Sequence, residues 1–84
     1  MLIYVWNLSP RVSEDIFCQT FEAFGQVSYA IVSSKNLKGG TNGQLRRFAC
    51  IEMPDRAEAQ AAIKNLNRKA LFGRQMVLYG SSEN

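Results

Sequence analysis

Apolar and polar side chains alternate along several short stretches of the chain, and elsewhere they recur every three to four residues. At the start, Ile3 and Val5 share one parity while Tyr4 and Trp6 share the other. In the middle, Ala49, Ile51 and Met53 alternate with Phe48, Cys50 and Glu52. Period two is the mark of a strand, so each stretch sends aliphatic groups to a core and aromatic or small ones to the opposite face. Between them, Ser13 is a good helix N-cap, Glu14 and Asp15 suit a first turn, and Phe17, Phe21 and Phe24 recur at helical spacing. Gly25 ends that helix. Gln26–Val32 reads as a second strand, with Val27, Ala30 and Val32 towards the core if a bulge lies near Ser28, and Tyr29 and Ile31 towards the other face.

Ser33–Leu45 reads as a loop, with Gly39, Gly40 and Gly43 among polar residues. A phosphate loop is a poor reading, because no Gly-Lys-Ser/Thr ending follows and no helix opens after it. After Pro54, Asp55 and Glu58 have the spacing of a capping box for a second helix, whose apolar stripe is Ala59, Ala62, Ile63 and Leu66. Asn67–Arg74 is a connection with room for a short hairpin, and Gln75–Tyr79 is the last strand, with Met76 and Leu78 inward and Val77 and Tyr79 outward. The order is β-α-β-β-α-β. Right-handed crossovers then predict an α+β domain: a four-stranded antiparallel sheet with both helices on one face. Nothing in the sequence is left to cover the other face. Residues 1–80 are expected to form one domain, and 81–84 a short frayed tail.

Composition narrows the chemistry. Eighty-four residues, 46% hydrophobic and 20% charged, suit a single globular domain. There is no histidine, no nucleophile–base arrangement and no metal-type spacing, so neither an enzyme, a metal site nor a cofactor is expected. The two cysteines, Cys18 and Cys50, do not suggest a disulfide framework, and the apolar start is too short for a signal peptide or a membrane span. The expectation is a soluble protein of the cytoplasm. A net charge of +3 is mild, but its distribution is uneven: Lys35, Lys38, Arg46 and Arg47 lie between Glu22 and Glu52 with no acidic residue among them. Such a stretch can draw in phosphates, or it can be a solvated loop.

The two alternating stretches carry a resemblance. Ile3-Tyr4-Val5-Trp6-Asn7-Leu8 matches the hexapeptide of the RNA recognition motif (RRM) at every specified position. Arg46 to Met53 resembles the family's octapeptide at Arg46, Phe48, Ala49 and Ile51, and departs from it at Arg47, Cys50 and Met53. The first helix ends as that family's does, in Phe-x-x-Phe-Gly. The chain is similar, more loosely, to short bacterial proteins made of little beyond one such motif.

This resemblance implies a ferredoxin-like sandwich that binds single-stranded RNA, or single-stranded DNA, on its open sheet. By position, Tyr4 and Phe48 take the roles of stacking rings. Cys50 occupies the third platform position and cannot stack a base. If Tyr4 lies across from Cys50, Trp6 lies across from Phe48, which moves the platform along the strands. Trp6 and Tyr79 are candidates for the same face, although Trp6 also suits capping the sheet, pairing with another protomer or lying under the tail. Arg46, Arg47 and Lys35 or Lys38 are the expected phosphate contacts. Asn7 is expected to hold the strand end, and Glu52 to be a rim group. The rival reading is a protein-interaction module that uses the open sheet, most simply as a homodimer.

Overall fold

The computed structural model describes residues 1–36 and 45–81, with the backbone alone at 34–36 and 45–47. The elements run β1 (Leu2–Trp6), α1 (Glu14–Glu22), β2 (Tyr29–Asn36), β3 (Leu45–Glu52), α2 (Arg56–Leu66), β4 (Ala70–Leu71), β5 (Arg74–Gln75) and β6 (Val77–Gly80). Four of the strands form one antiparallel sheet in the order β2-β3-β1-β6, and β4 with β5 forms a separate hairpin. This is the expected topology, with the short hairpin inserted before the last strand.

The core follows the parity of the strands. Ile3 and Val5 of β1, Ala49 and Ile51 of β3 and Leu78 of β6 are buried against Phe17 and Phe21 of α1 and Ala59, Ala62 and Leu66 of α2. Phe17 and Phe21 meet edge to face with centroids 5.0 Å apart. The alanines on α2 have little side chain to hold the helix off the sheet, and Leu66 closes its far end. Phe24, Val27, Ala30 and Val32 pack against this core from its margin.

Both helix starts are capped as the sequence indicates. The Ser13 hydroxyl accepts from the Ile16 N–H at 3.1 Å, and the Asp55 carboxylate accepts from the Glu58 N–H at 3.0 Å. The capping box at Glu58 does not form. Its carboxylate accepts instead from the Gln26 N–H, 3.1 Å away in the segment after α1. Gly25 makes this docking possible, because a Cβ there would collide with the Glu58 side chain. A carboxylate thus spends its acceptor on a distant amide that would otherwise go unpaired at the end of α1.

Two boundaries differ from the sequence reading. β2 begins at Tyr29, three residues later than expected, after a bend at Ser28 that lets Val27 and Ala30 both reach the core. It also runs on through Ser33–Asn36, a stretch with the composition of a loop, and pairs there with Leu45–Phe48. Polar residues can hold a strand here because the ladder bonds are made by the backbone and need no apolar side chain. The glycines of the expected loop lie outside the described residues. The last strand is likewise not continuous from Gln75. Arg74 and Gln75 pair with β4, buried Met76 intervenes, and β6 starts at Val77. At the other end β6 pairs past Gly80: the Ser81 N–H donates to the Leu2 carbonyl at 2.8 Å and its hydroxyl accepts from the Leu2 N–H at 3.3 Å.

Candidate nucleic-acid interface

The face of the sheet opposite the helices is arranged in rows by strand register. Across the middle run Ile31, Cys50, Tyr4 and Tyr79, and across the next row Ser33, Phe48, Trp6 and Val77. Tyr29, Glu52 and Leu2 form the row at the opposite end. Tyr4, Trp6 and Tyr79 are 42%, 47% and 59% exposed, while Phe48, Cys50 and Val77 are half-buried between their neighbours. Aromatic rings left this open on a small domain form the kind of contiguous apolar surface that marks a contact site.

The pairing of the two motifs is the expected one. Tyr4 faces Cys50 and Trp6 faces Phe48. The Trp6 and Phe48 rings lie with centroids 5.5 Å apart and planes tilted by 39°, so they support one another as a joined platform. Cys50 leaves a gap in the middle row, flanked by Tyr4 on one side and Ile31 on the other. Where the octapeptide pattern supplies a second ring on β3, this protein has a thiol, and the larger ring stands one row away on β1.

The end of β1 is set by Asn7. Its backbone takes φ 62°, a left-handed conformation that asparagine tolerates, and its side-chain amide donates to the Gln75 carbonyl at 2.8 Å. The chain therefore leaves the sheet immediately after Trp6, and Leu8 turns into the core. Glu52 is not simply a rim group: its carboxylate lies 3.1 Å from the Met1 amino group.

Lys35 and Arg46 are register partners on β2 and β3, two residues along from the Ser33–Phe48 pair and in phase with it. Arg47 pairs with Ser34 and is out of phase with Phe48. Lys38 lies outside the described residues. Both thiols are free, Cys50 in the open face and Cys18 on α1. Burial pushes the Cys18 thiol up, and Glu22 and Asp15 push it further, which keeps it protonated and poorly nucleophilic. Among the described residues no group of side chains is placed to hold a metal ion, and no helix is long and apolar enough to cross a membrane.

Two exposed aromatics stand outside the candidates named from sequence. Tyr29, not named as a contact residue, lies on this face with Ile31 as the strand parity predicts. Phe72, at the tip of the β4–β5 hairpin, has no such signal, because a connection carries no parity.

Comparison with known proteins agrees with this geometry. The model of the RNA recognition motif family matches residues 3–77. The chain is 35% identical over 74 residues to glycine-rich RNA-binding protein 1 of Mycosarcoma maydis, covering 88% of this chain and only 40% of that longer protein. It is 34% identical over 76 residues to RbpD, a Nostoc sp. protein named for RNA binding, covering 90% of this chain and 77% of that one. Among solved structures, RNA-binding protein PG1 superimposes with a TM-score of 0.74 at 30% identity, covering 100% of this chain and 96% of its own. The Rna15 RRM, solved with bound GU RNA, superimposes at 0.73 and 21% identity, covering 98% and 83%, a likeness of fold.

Proposed function

The chain belongs to the RNA recognition motif family, and on that footing we propose that it binds single-stranded RNA across the open sheet, without catalysis. The observation that carries the reading is the Trp6–Phe48 ring pair on the two central strands, flanked by exposed Tyr4 and Tyr79. Bases stack on Phe48 and Tyr4, with Trp6 extending the platform and Tyr79 bounding it. Cys50 lines the gap as a small apolar residue. Lys35, Lys38, Arg46 and Arg47 supply charge for phosphates at the β2–β3 end. Each base–aromatic stack contributes about 1–3 kcal/mol, so a platform with one ring missing gives a modest affinity that depends on salt.

Such an activity suits RNA handling or post-transcriptional regulation in the cytoplasm, where free thiols stay reduced. Single-stranded DNA is a competitor for the same surface, since rings and cations do not read a 2′-hydroxyl. The same apolar face would also serve a homodimer.

Trp6 is the one tryptophan in the chain. Titration with short RNA oligomers is expected to quench its emission, less so at high salt. Phe48→Ala is expected to weaken binding by roughly fivefold or more, the loss of one stack. Emission unmoved by any RNA, together with a concentration-dependent dimer in sedimentation, overturns the reading in favour of the homodimer. The same titration with matched DNA oligomers measures the discrimination.

A further inference from the structure

The β4–β5 hairpin is built in a way that the sheet platform does not require. Its two central residues are Phe72 and Gly73, at φ 51° and 82°. Positive φ at both positions is the signature of the tight hairpin turn that favours Asn-Gly or Asp-Gly, where a bulky ring is poorly suited. Phe72 is 50% exposed, so burial does little to offset that misfit. The charge around it is one-sided. From Ala59 to Ser82 the sequence has no acidic residue, while it has Lys64, Arg68, Lys69 and Arg74. All four are exposed, and none has an ion-pair partner among the described residues.

This hairpin is held in place and joins the platform. The Arg68 N–H donates to the Met76 carbonyl at 2.7 Å, and the Met76 N–H donates to the Lys69 carbonyl at 3.0 Å. Leu71 packs against the core. The Asn7 amide bonded to the Gln75 carbonyl fastens β5 to the end of β1, directly beyond the Trp6–Val77 row. The hairpin next to that row carries an exposed ring, Phe72, and three exposed cations, Arg68, Lys69 and Arg74, within seven consecutive residues of the sequence.

We propose that the β4–β5 hairpin is a second RNA-contacting element, in which Phe72 stacks on a nucleotide beyond the sheet and Arg68, Lys69 and Arg74 hold the adjoining phosphates. The proposal rests on the sheet-face reading and lengthens its footprint. An exposed ring and exposed cations on one hairpin suit a nucleic acid: bases stack on the ring, and phosphates meet the cations.

The test uses Phe72→Asn, which suits the turn better than the native residue and so keeps the hairpin folded. Affinity is measured with RNA oligomers of about 4 and about 10 nucleotides, within the usual range of single-strand footprints. The variant is expected to bind the longer oligomer roughly fivefold or more weakly, the loss of one stack, and the shorter one as the native protein does. Its melting temperature is expected to hold or rise. Arg74→Gln is expected to flatten the salt dependence for the longer oligomer alone. Equal affinity of Phe72→Asn and native protein for the longer oligomer overturns the hairpin contact and leaves the sheet reading standing. Failure of the native protein to bind either length overturns both.

Discussion

Strand β1 carries two sets of side chains with opposite fates. Ile3 and Val5 are fully buried under the helices, while Tyr4 and Trp6, their immediate neighbours, stand open on the other face. One backbone positions both sets, so a parity of one residue separates what holds the protein together from what it offers to a partner. The buried set has every contact it needs. The open set has ring area left over, and nothing else within the described residues covers it. Stability and binding are therefore expected to respond to different residues of the same strands.

The sharpest way to break that separation is a core truncation. Ile51→Ala on β3 is expected to cost about 3 kcal/mol of folding stability, the usual range for a fully buried aliphatic side chain. Urea denaturation measures it, and the folded fraction is expected to keep its RNA affinity. A large affinity loss in folded Ile51→Ala protein would show that the faces are coupled. Trp6→Ala is the counterpart on the open side, expected to weaken RNA binding by about 2 kcal/mol through the lost stack and to change the denaturation midpoint little. A collapse in stability would show instead that the Trp6–Phe48 contact belongs to the fold.

Two smaller changes sharpen the same contrast. Cys50→Tyr fills the gap between Tyr4 and Ile31 and is expected to gain up to about 1 kcal/mol of affinity, read by titration. An unchanged affinity would mean that the displaced Trp6 already does the work of the missing ring. Arg68 takes φ 68°, so Arg68→Gly relieves a left-handed backbone and is expected to gain about 0.5 kcal/mol in thermal unfolding.

The parts of this molecule that local pattern controls are legible in the sequence. Strand parity places Ile3, Val5, Tyr4 and Trp6 on their faces. Ser13 and Asp55 announce the helix starts, and two motifs in register imply that Trp6 meets Phe48. What escapes depends on partners distant in the chain. Glu58 has the spacing of a capping box, but its acceptor is taken by Gln26, a residue brought near only when the two helices settle on the sheet. Ser33–Asn36 resembles a loop because strand pairing needs no apolar side chain, and its partner strand begins at Leu45. Phe72 gives no signal because its exposure follows from the turn, which the connection Asn67–Arg74 does not reveal by periodicity.

The polar run Ser33–Asn36 has a consequence for how the protein keeps to itself. Where β2 pairs with Leu45–Arg47, β1 no longer flanks β3, so among the described residues neither edge of this ribbon has a strand beside it. Open edges recruit further strands, and long, flat, apolar ones seed aggregation. Along its outer margin β2 is protected at Val32, whose N–H donates to the Glu14 carboxylate at 3.3 Å. Beyond that point the sequence turns to Ser-Ser-Lys-Asn. A lysine in an edge strand works against edge-to-edge stacking of copies. Making the ribbon more strand-like with valine or isoleucine would leave the fold intact and trade solubility for fibre-forming tendency.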